Sequence, residues 1–386
     1  MKKILLLTIS ITLIGLIANA QWQQTSLTTG SIPTISVKGT SIFAGEYGDT
    51  GKVFLSNDGG NTWLDVFNAP AGVMSITNNG TDIYAGTYMG GLYVSTNNGG
   101  NWSLINSSPT NITALAVNGP NIFAGTDASL YYSLDAGTTW STSSVNMYSV
   151  MSVAVTGQTI FAGSHMAGVF LSEDNGSTWD SKGLLNTDVA ALVLNGTTVY
   201  TGTDDSIYIS NDSGTHWIPL FNPGSSCHTL AVIGNNIFAG TIDSGIFLST
   251  NNGISWGQIN QGLTDMNIHS LAIYDTTIFV GTNNSGVWKR PLDQLITGIN
   301  ENQVKPQVSI DPNPVITSAQ LIINPAFKVT NATLKIYNLY GAECRRYTAI
   351  KGQTITIDKG NLASGIYFYQ LTQNNQVIAN GKLVVE

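Results

Sequence analysis

Ser56-Asn57-Asp58-Gly59-Gly60-Asn61-Thr62-Trp63 decides the fold, because the octapeptide returns. It recurs as SEDNGSTW (Ser172 to Trp179), SLDAGTTW (Ser133 to Trp140) and SNDSGTHW (Ser210 to Trp217). Two further copies carry Asn for Asp: STNNGGNW (Ser95 to Trp102) and STNNGISW (Ser249 to Trp256). The six tryptophans, from Trp63 to Trp256, are spaced 39, 38, 39, 38 and 39 residues apart. So regular a period marks an array of one repeated unit.

Each copy follows a short alternating run such as KVFLS or GLYVS, and a second run follows it. The octapeptide therefore reads as a hairpin turn. Its Ser and Asp side chains can satisfy the loop's own backbone N–H groups. Its Gly takes positive φ without steric cost, and its Trp clamps the turn onto a neighbouring strand. The expected structural positions are Ser56, Asp58, Gly60, Trp63, Ser133, Asp135, Trp140, Ser172, Asp174, Trp179, Ser210, Asp212 and Trp217. A calcium loop built on Asp-x-Gly is the competing reading, but the loop is short and has no closing Glu.

The unit has four strand-like runs, A to D. In the second unit these are VMSIT, DIYAGT, GLYVS and WSLI. Run B is the clearest marker and occurs seven times, from IFAGE at Ile42 to IFVGT at Ile278. The seventh unit ends near Arg290 without an octapeptide or a D run, while a surplus run with Trp22 precedes the first unit. The spacing predicts an all-β, seven-bladed β-propeller whose N-terminal strand closes the last blade, which removes the open edges of a linear array. The octapeptide resembles the Asp-box, or BNR repeat, found in sialidases, xyloglucanase-type glycosidases, sortilin-type receptors and a photosystem II assembly factor. That resemblance implies a structural turn on the propeller rim, away from the functional face.

Residues 1–20 read as a signal peptide: Lys2 and Lys3, an apolar run from Ile4 to Ile17, then Ala18-Asn19-Ala20. The run is too short to span a bilayer, and the mature chain has no candidate transmembrane segment. The propeller, residues 21–290, holds five Lys/Arg and seventeen Asp/Glu, a formal charge of −12. That balance argues against nucleic acid as a partner. Cys227 and Cys344 fall in separate domains and are not expected to pair.

Residues 291–307 read as a linker, and 308–386 as a small antiparallel β-sandwich with strand runs QLIIN, ATLKIYNLYG, TITID, GIYFYQL and GKLVVE. Four motifs appear there in order: Pro312-Asn313-Pro314, LKIYNLYG, Leu362 to Tyr367 including Gly365, and Gly381-Lys382-Leu383-Val384-Val385. They resemble the type A C-terminal sorting domain of the type IX secretion system. The resemblance implies engagement of that machinery, export across the outer membrane, and a secreted or surface location.

Functional groups are sought on the face formed by B–C loops and D–A connections, because loops on a rigid scaffold carry function. Candidate ligand-binding residues there are Tyr47, Asp49, Tyr88, Asp127, Tyr148, His165, Asp204, Asp205 and Asp243. The same loops hold Glu46, Met89, Met147, Met166, Asp188, His228, Asp265 and His269. Sialidase chemistry resembles an arginine clamp, and Arg290 is the one arginine in the propeller. No nucleophile elbow, phosphate loop or zinc spacing appears, and no cofactor is expected. Three histidines converging on a metal is a weaker alternative. The expectation is a non-catalytic module that binds a glycan or a protein. The alternative is a xyloglucanase-type glycoside hydrolase using paired aspartates.

Overall fold

The computed structural model describes residues 21–145, 147–296, 308–323, 329–338, 342–373 and 376–386. The proposed signal peptide, most of the proposed linker and the last three residues of LKIYNLYG lie outside the described residues.

Residues 21–291 form seven four-stranded antiparallel sheets. Six are consecutive meanders, as in Val73–Asn78, Ile83–Thr87, Gly91–Ser95 and Ser103–Leu104. The seventh combines Ile268–Tyr274, Thr277–Thr282 and Val287–Pro291 with the N-terminal strand Gln23–Gln24. Gln23 faces Lys289 and Gln24 faces Trp288 in an antiparallel ladder. Strand A of each sheet packs on strand A of the next, and Ser31–Lys38 packs on Ile268–Tyr274, so the ring is closed. Trp22 is 2% exposed, and its indole N–H donates to the Ile259 carbonyl at 2.6 Å.

The core lies between the sheets. Strand B supplies its densest row, because the IFAGT run is buried on both faces, as expected of a strand sandwiched between two others. Its Phe, as Phe43, Phe123, Phe238 and Phe279, is fully buried. Its Gly lets the neighbouring blade approach: a Cβ at Gly86 or Gly240 would collide with Ile112 or Ile268. Packing continues past Arg290. The short helix Asp293–Ile296 follows, and Leu292 and Leu295 are buried against the last sheet. The expected linker therefore begins with structured residues.

The C-terminal unit has two sheets, one of Val308–Asp311, Ser318–Ile323 and Thr354–Asp358, the other ordered Glu343–Ile350, Ala332–Tyr337, Gly365–Gln373 and Gln376–Val385. They enclose a core of its own that includes Leu321, Leu334, Ile336, Leu371 and Leu383. The strand Glu343–Ile350 is absent from the runs expected above, because its polar, half-exposed ECRRYTAI segment has no apolar alternation to announce it.

Candidate binding face

The octapeptide turns satisfy themselves. Ser56, Ser133, Ser172 and Ser210 each donate to Oδ1 of the following Asp, and each hydroxyl accepts the N–H of the turn Gly at 2.8 Å. The same Oδ1 accepts the N–H four residues on, at Thr62, Thr139, Thr178 and His216. Oδ2 takes the Thr hydroxyl at 2.7 Å, or His216 Nδ1 at 2.6 Å. These donors hold Asp58 down to about 2, and hold Asp135 and Asp174 below the usual carboxylate range. The loop therefore fills the oxygens that a calcium ion would need. Asn97 and Asn251 keep the backbone bond with their single carbonyl oxygen, which explains why Asn is tolerated there.

The tryptophans vary more than expected. Trp140, Trp179 and Trp256 donate to their own turn's Gly carbonyl, whereas Trp217 reaches the Lys182 carbonyl and Trp63 the Thr25 hydroxyl. Trp179 is buried, and the others are half-buried. Lys289 of the seventh sheet donates to Gly59 O and Asn61 Oδ1, tying the last blade to the first turn.

On the opposite face the candidate residues separate into groups. Tyr47 and Tyr88 come together edge to face, with centroids 6.5 Å apart, and both are exposed. Met89 follows at φ 72° and is 71% exposed. A second group forms around the B–C turn of the fourth blade. Met166, at φ 60°, donates its N–H to Asp188 Oδ1, and its carbonyl accepts from Asn186 N. His165 N donates to Ser149 O, which brings in the connection bearing exposed Tyr148, and Leu185 lies on the other connection. His165 Nδ1 is 2.8 Å from Asp188. Met147 lies in its D–A connection as expected, but its side chain is fully buried in the core.

Asp127 accepts from Asn111 of the preceding D–A connection, and Asp205 from Thr203. Asp49, Asp204 and Asp243 are exposed. Asp265 accepts Asn267 N and Asn284 N, bracing two connections. Glu46 is the loop-face carboxyl that burial raises, and Lys52 beside it partly offsets the effect.

His228 and His269 are placed on strand A, not in the D–A connections assigned to them from sequence. In every blade the strand A–strand B ladder skips a register near the loop-face end, and in the last two blades the skipped residue is His228 or His269. Their rings are 6.3 Å apart. Burial lowers both below the ordinary imidazole value. Among the described residues no three His, Cys, Asp or Glu side chains group as metal ligands, so the three-histidine convergence is not formed. Sequence periodicity could not reveal the bulge, because it costs one residue without altering the apolar run.

In the C-terminal unit the four motifs meet. Asn313 Oδ1 accepts Val384 N at 2.8 Å, and its amide reaches Lys382 O. Gly365 pairs with Val385, Tyr367 with Leu383, and Tyr369 with Gly381, whose missing side chain leaves room for the Tyr369 ring. The Tyr367 hydroxyl donates to Ala363 O. The final strand is thus clasped by Pro312-Asn313-Pro314 on one edge and by the Gly365 strand on the other. Residues 309–386 match the secretion system C-terminal sorting domain family. The C-terminal unit is a sorting domain. The chain is thereby directed to type IX export, to the cell surface or beyond.

No curated protein matches the sequence. Among solved structures, the extracellular domain of the putative one component system BT4673 from B. thetaiotaomicron is similar at 17% identity and TM-score 0.61. The alignment covers 80% of this chain and 46% of that one, so this chain spans less than half of its length. YCF48 from Cyanidioschyzon merolae is 15% identical at TM-score 0.55, covering 70% of this chain and 98% of that one. The GH74 xyloglucanase from Xanthomonas campestris is 15% identical at TM-score 0.51, covering 69% and 60%. At such identities the likeness concerns the β-propeller fold alone.

Proposed function

We propose that the protein is a non-catalytic binding module of Asp-box type, delivered outside the cell by its sorting domain, that captures a glycan or protein on its loop face. The observation that carries this reading is the set of exposed Tyr and Met side chains held out on tight loops. Apolar groups that fill no core are matched to surfaces from elsewhere. A structure of YCF48 bound to D1 peptide, similar at TM-score 0.57, supports capture by a propeller of this shape. The test is a glycan-array and protein-binding screen with product analysis on every hit. Binding without product, weakened by Tyr47→Ala and Tyr88→Ala, is the expected result.

One observation favours glycoside hydrolysis of the xyloglucanase type instead. Glu46, near the end of strand Ser41–Tyr47, carries a raised carboxyl suited to a general acid, with Asp49 in the loop that follows and Asp127 two blades on as candidate partners. Product release abolished by Glu46→Gln would establish that reading in place of the first.

A further inference from the structure

The loop face is chemically divided around the ring. Tyr47, Tyr88, Met89, Tyr148, Met166 and Leu185 are its exposed large apolar residues among the described ones, and all belong to the arc from the first blade to the connection after the fourth. The remaining arc presents Asp204, Asp205, Asp243 and Asp265, and no lysine or arginine lies in its loops. Glu46, Asp49, Asp127 and Asp188 add negative charge to the apolar arc; of the cations near it, Lys52 pairs with Asp65 at 3.5 Å, and Lys182, at the start of the connection after the fourth blade, lies 3.8 Å from Asp180.

Two features speak about the occupant. A sugar ring is met by a flat aromatic platform, but Tyr47 and Tyr88 meet at 64°, and half of the apolar residues are flexible Met or Leu. Thioether and aliphatic side chains suit irregular apolar side chains of another polypeptide. The uncompensated carboxylates of the other arc suit Lys and Arg.

Resting on the reading that the loop face binds, we infer that its ligand is a cationic polypeptide segment, apolar where it crosses the first four blades and basic where it crosses the last three. The two arcs pair each half of the segment with one side of the ring, whichever way its backbone runs. Glycans are the excluded class.

The experiment uses the full exported chain and four synthetic 14-residue peptides: Leu/Tyr-rich then Lys/Arg-rich, the same halves reversed, Leu/Tyr then Glu, and Ser then Lys/Arg. Fluorescence anisotropy at low and high salt is paired with the glycan array. The expected result is that the amphipathic cationic peptide, in either order, binds at least tenfold tighter than the Leu/Tyr–Glu and Ser–Lys/Arg peptides, with affinity falling at high salt. Met89→Asn with Met166→Asn, which keep the left-handed backbone, and Asp204→Asn with Asp243→Asn should each weaken it at least tenfold. Glu173→Gln and Asp275→Asn, exposed carboxylates on the opposite face, should not. Glycan binding lost in the Met89 and Tyr47 variants would overturn the peptide inference while leaving the loop face as the site. Binding of the Leu/Tyr–Glu or Ser–Lys/Arg peptide as tight as that of the amphipathic cationic ones would likewise overturn the inference alone. Peptide binding insensitive to every loop-face variant, or no binding of any probe, would overturn both.

Discussion

Replacing Trp22 by Ala should open the ring at its seam. The side chain is 2% exposed and packs with Ile246, Leu248, Ile259, Leu263 and Trp288 of the last two blades. An indole buries up to about 250 Å², worth roughly 6 kcal/mol at ~25 cal/mol/Å², an upper bound because the unfolded chain already hides part of it. Large-to-small core substitutions of Trp cost about 3–5 kcal/mol. The hydrogen bond to the Ile259 carbonyl adds about 1 kcal/mol. The expected loss is about 4 kcal/mol, a large share of the roughly 5–15 kcal/mol that holds a domain together. Trp22→Phe keeps much of the area and should cost about 2 kcal/mol. Urea denaturation of the exported chain, with amide exchange mapped by blade, measures both. Exchange should rise in Thr277–Thr282 and Val287–Pro291 and stay unchanged in the third and fourth blades. A Trp22→Ala loss under about 1 kcal/mol, or exchange rising evenly around the ring, would refute the seam argument.

Gly60→Ala should destabilise by about 3 kcal/mol in the same urea assay, since φ is +77° and the new Cβ would lie 2.5 Å from the Phe279 ring. Ser172→Ala strips the buried Gly176 N–H of its acceptor and should cost about 2 kcal/mol by urea midpoint, whereas Ser172→Thr should restore part of it. His228 and His269 lie below the ordinary imidazole value when folded, so the folded state favours their neutral forms. Their contribution is whole above the unfolded value of about 6.5 and is lost as pH falls through the depressed folded values. Melting temperature should therefore fall between pH 7.5 and 5, and a His228→Asn/His269→Asn variant should show a flatter profile. Thiol labelling of the native protein should modify Cys344, which is exposed, and spare Cys227 until unfolding, because burial pushes its thiol up to about 12.

The fold was legible because its repeat is printed in residues that the turn itself requires. Ser, Asp, Gly and Trp recur at fixed offsets, since each has a bond or a dihedral to satisfy locally. Ring closure was legible too, because Trp22 sits about one period before Trp63. The candidate binding face was legible only as a set of loops. Tyr47 and Tyr88 are 41 residues apart in sequence, and their edge contact depends on the curvature between two blades. The His228–His269 pair was hidden for a different reason: a register skip moved both residues from the connections to the strand edge. In the C-terminal unit Glu343–Ile350 went unread because a half-exposed strand with Arg345 and Arg346 has no apolar pattern.

The seam joins groups 237 residues apart, the span from Trp22 to Ile259. A ring closed by its first strand cannot finish until its last blade exists. A chain cut short before Val287 would leave Gln23–Gln24 with no partner ladder, the Trp22 indole in water, and strand edges free to pair with other chains. The first strand thus works as a completeness test, and only a molecule that has been made to its last blade conceals it.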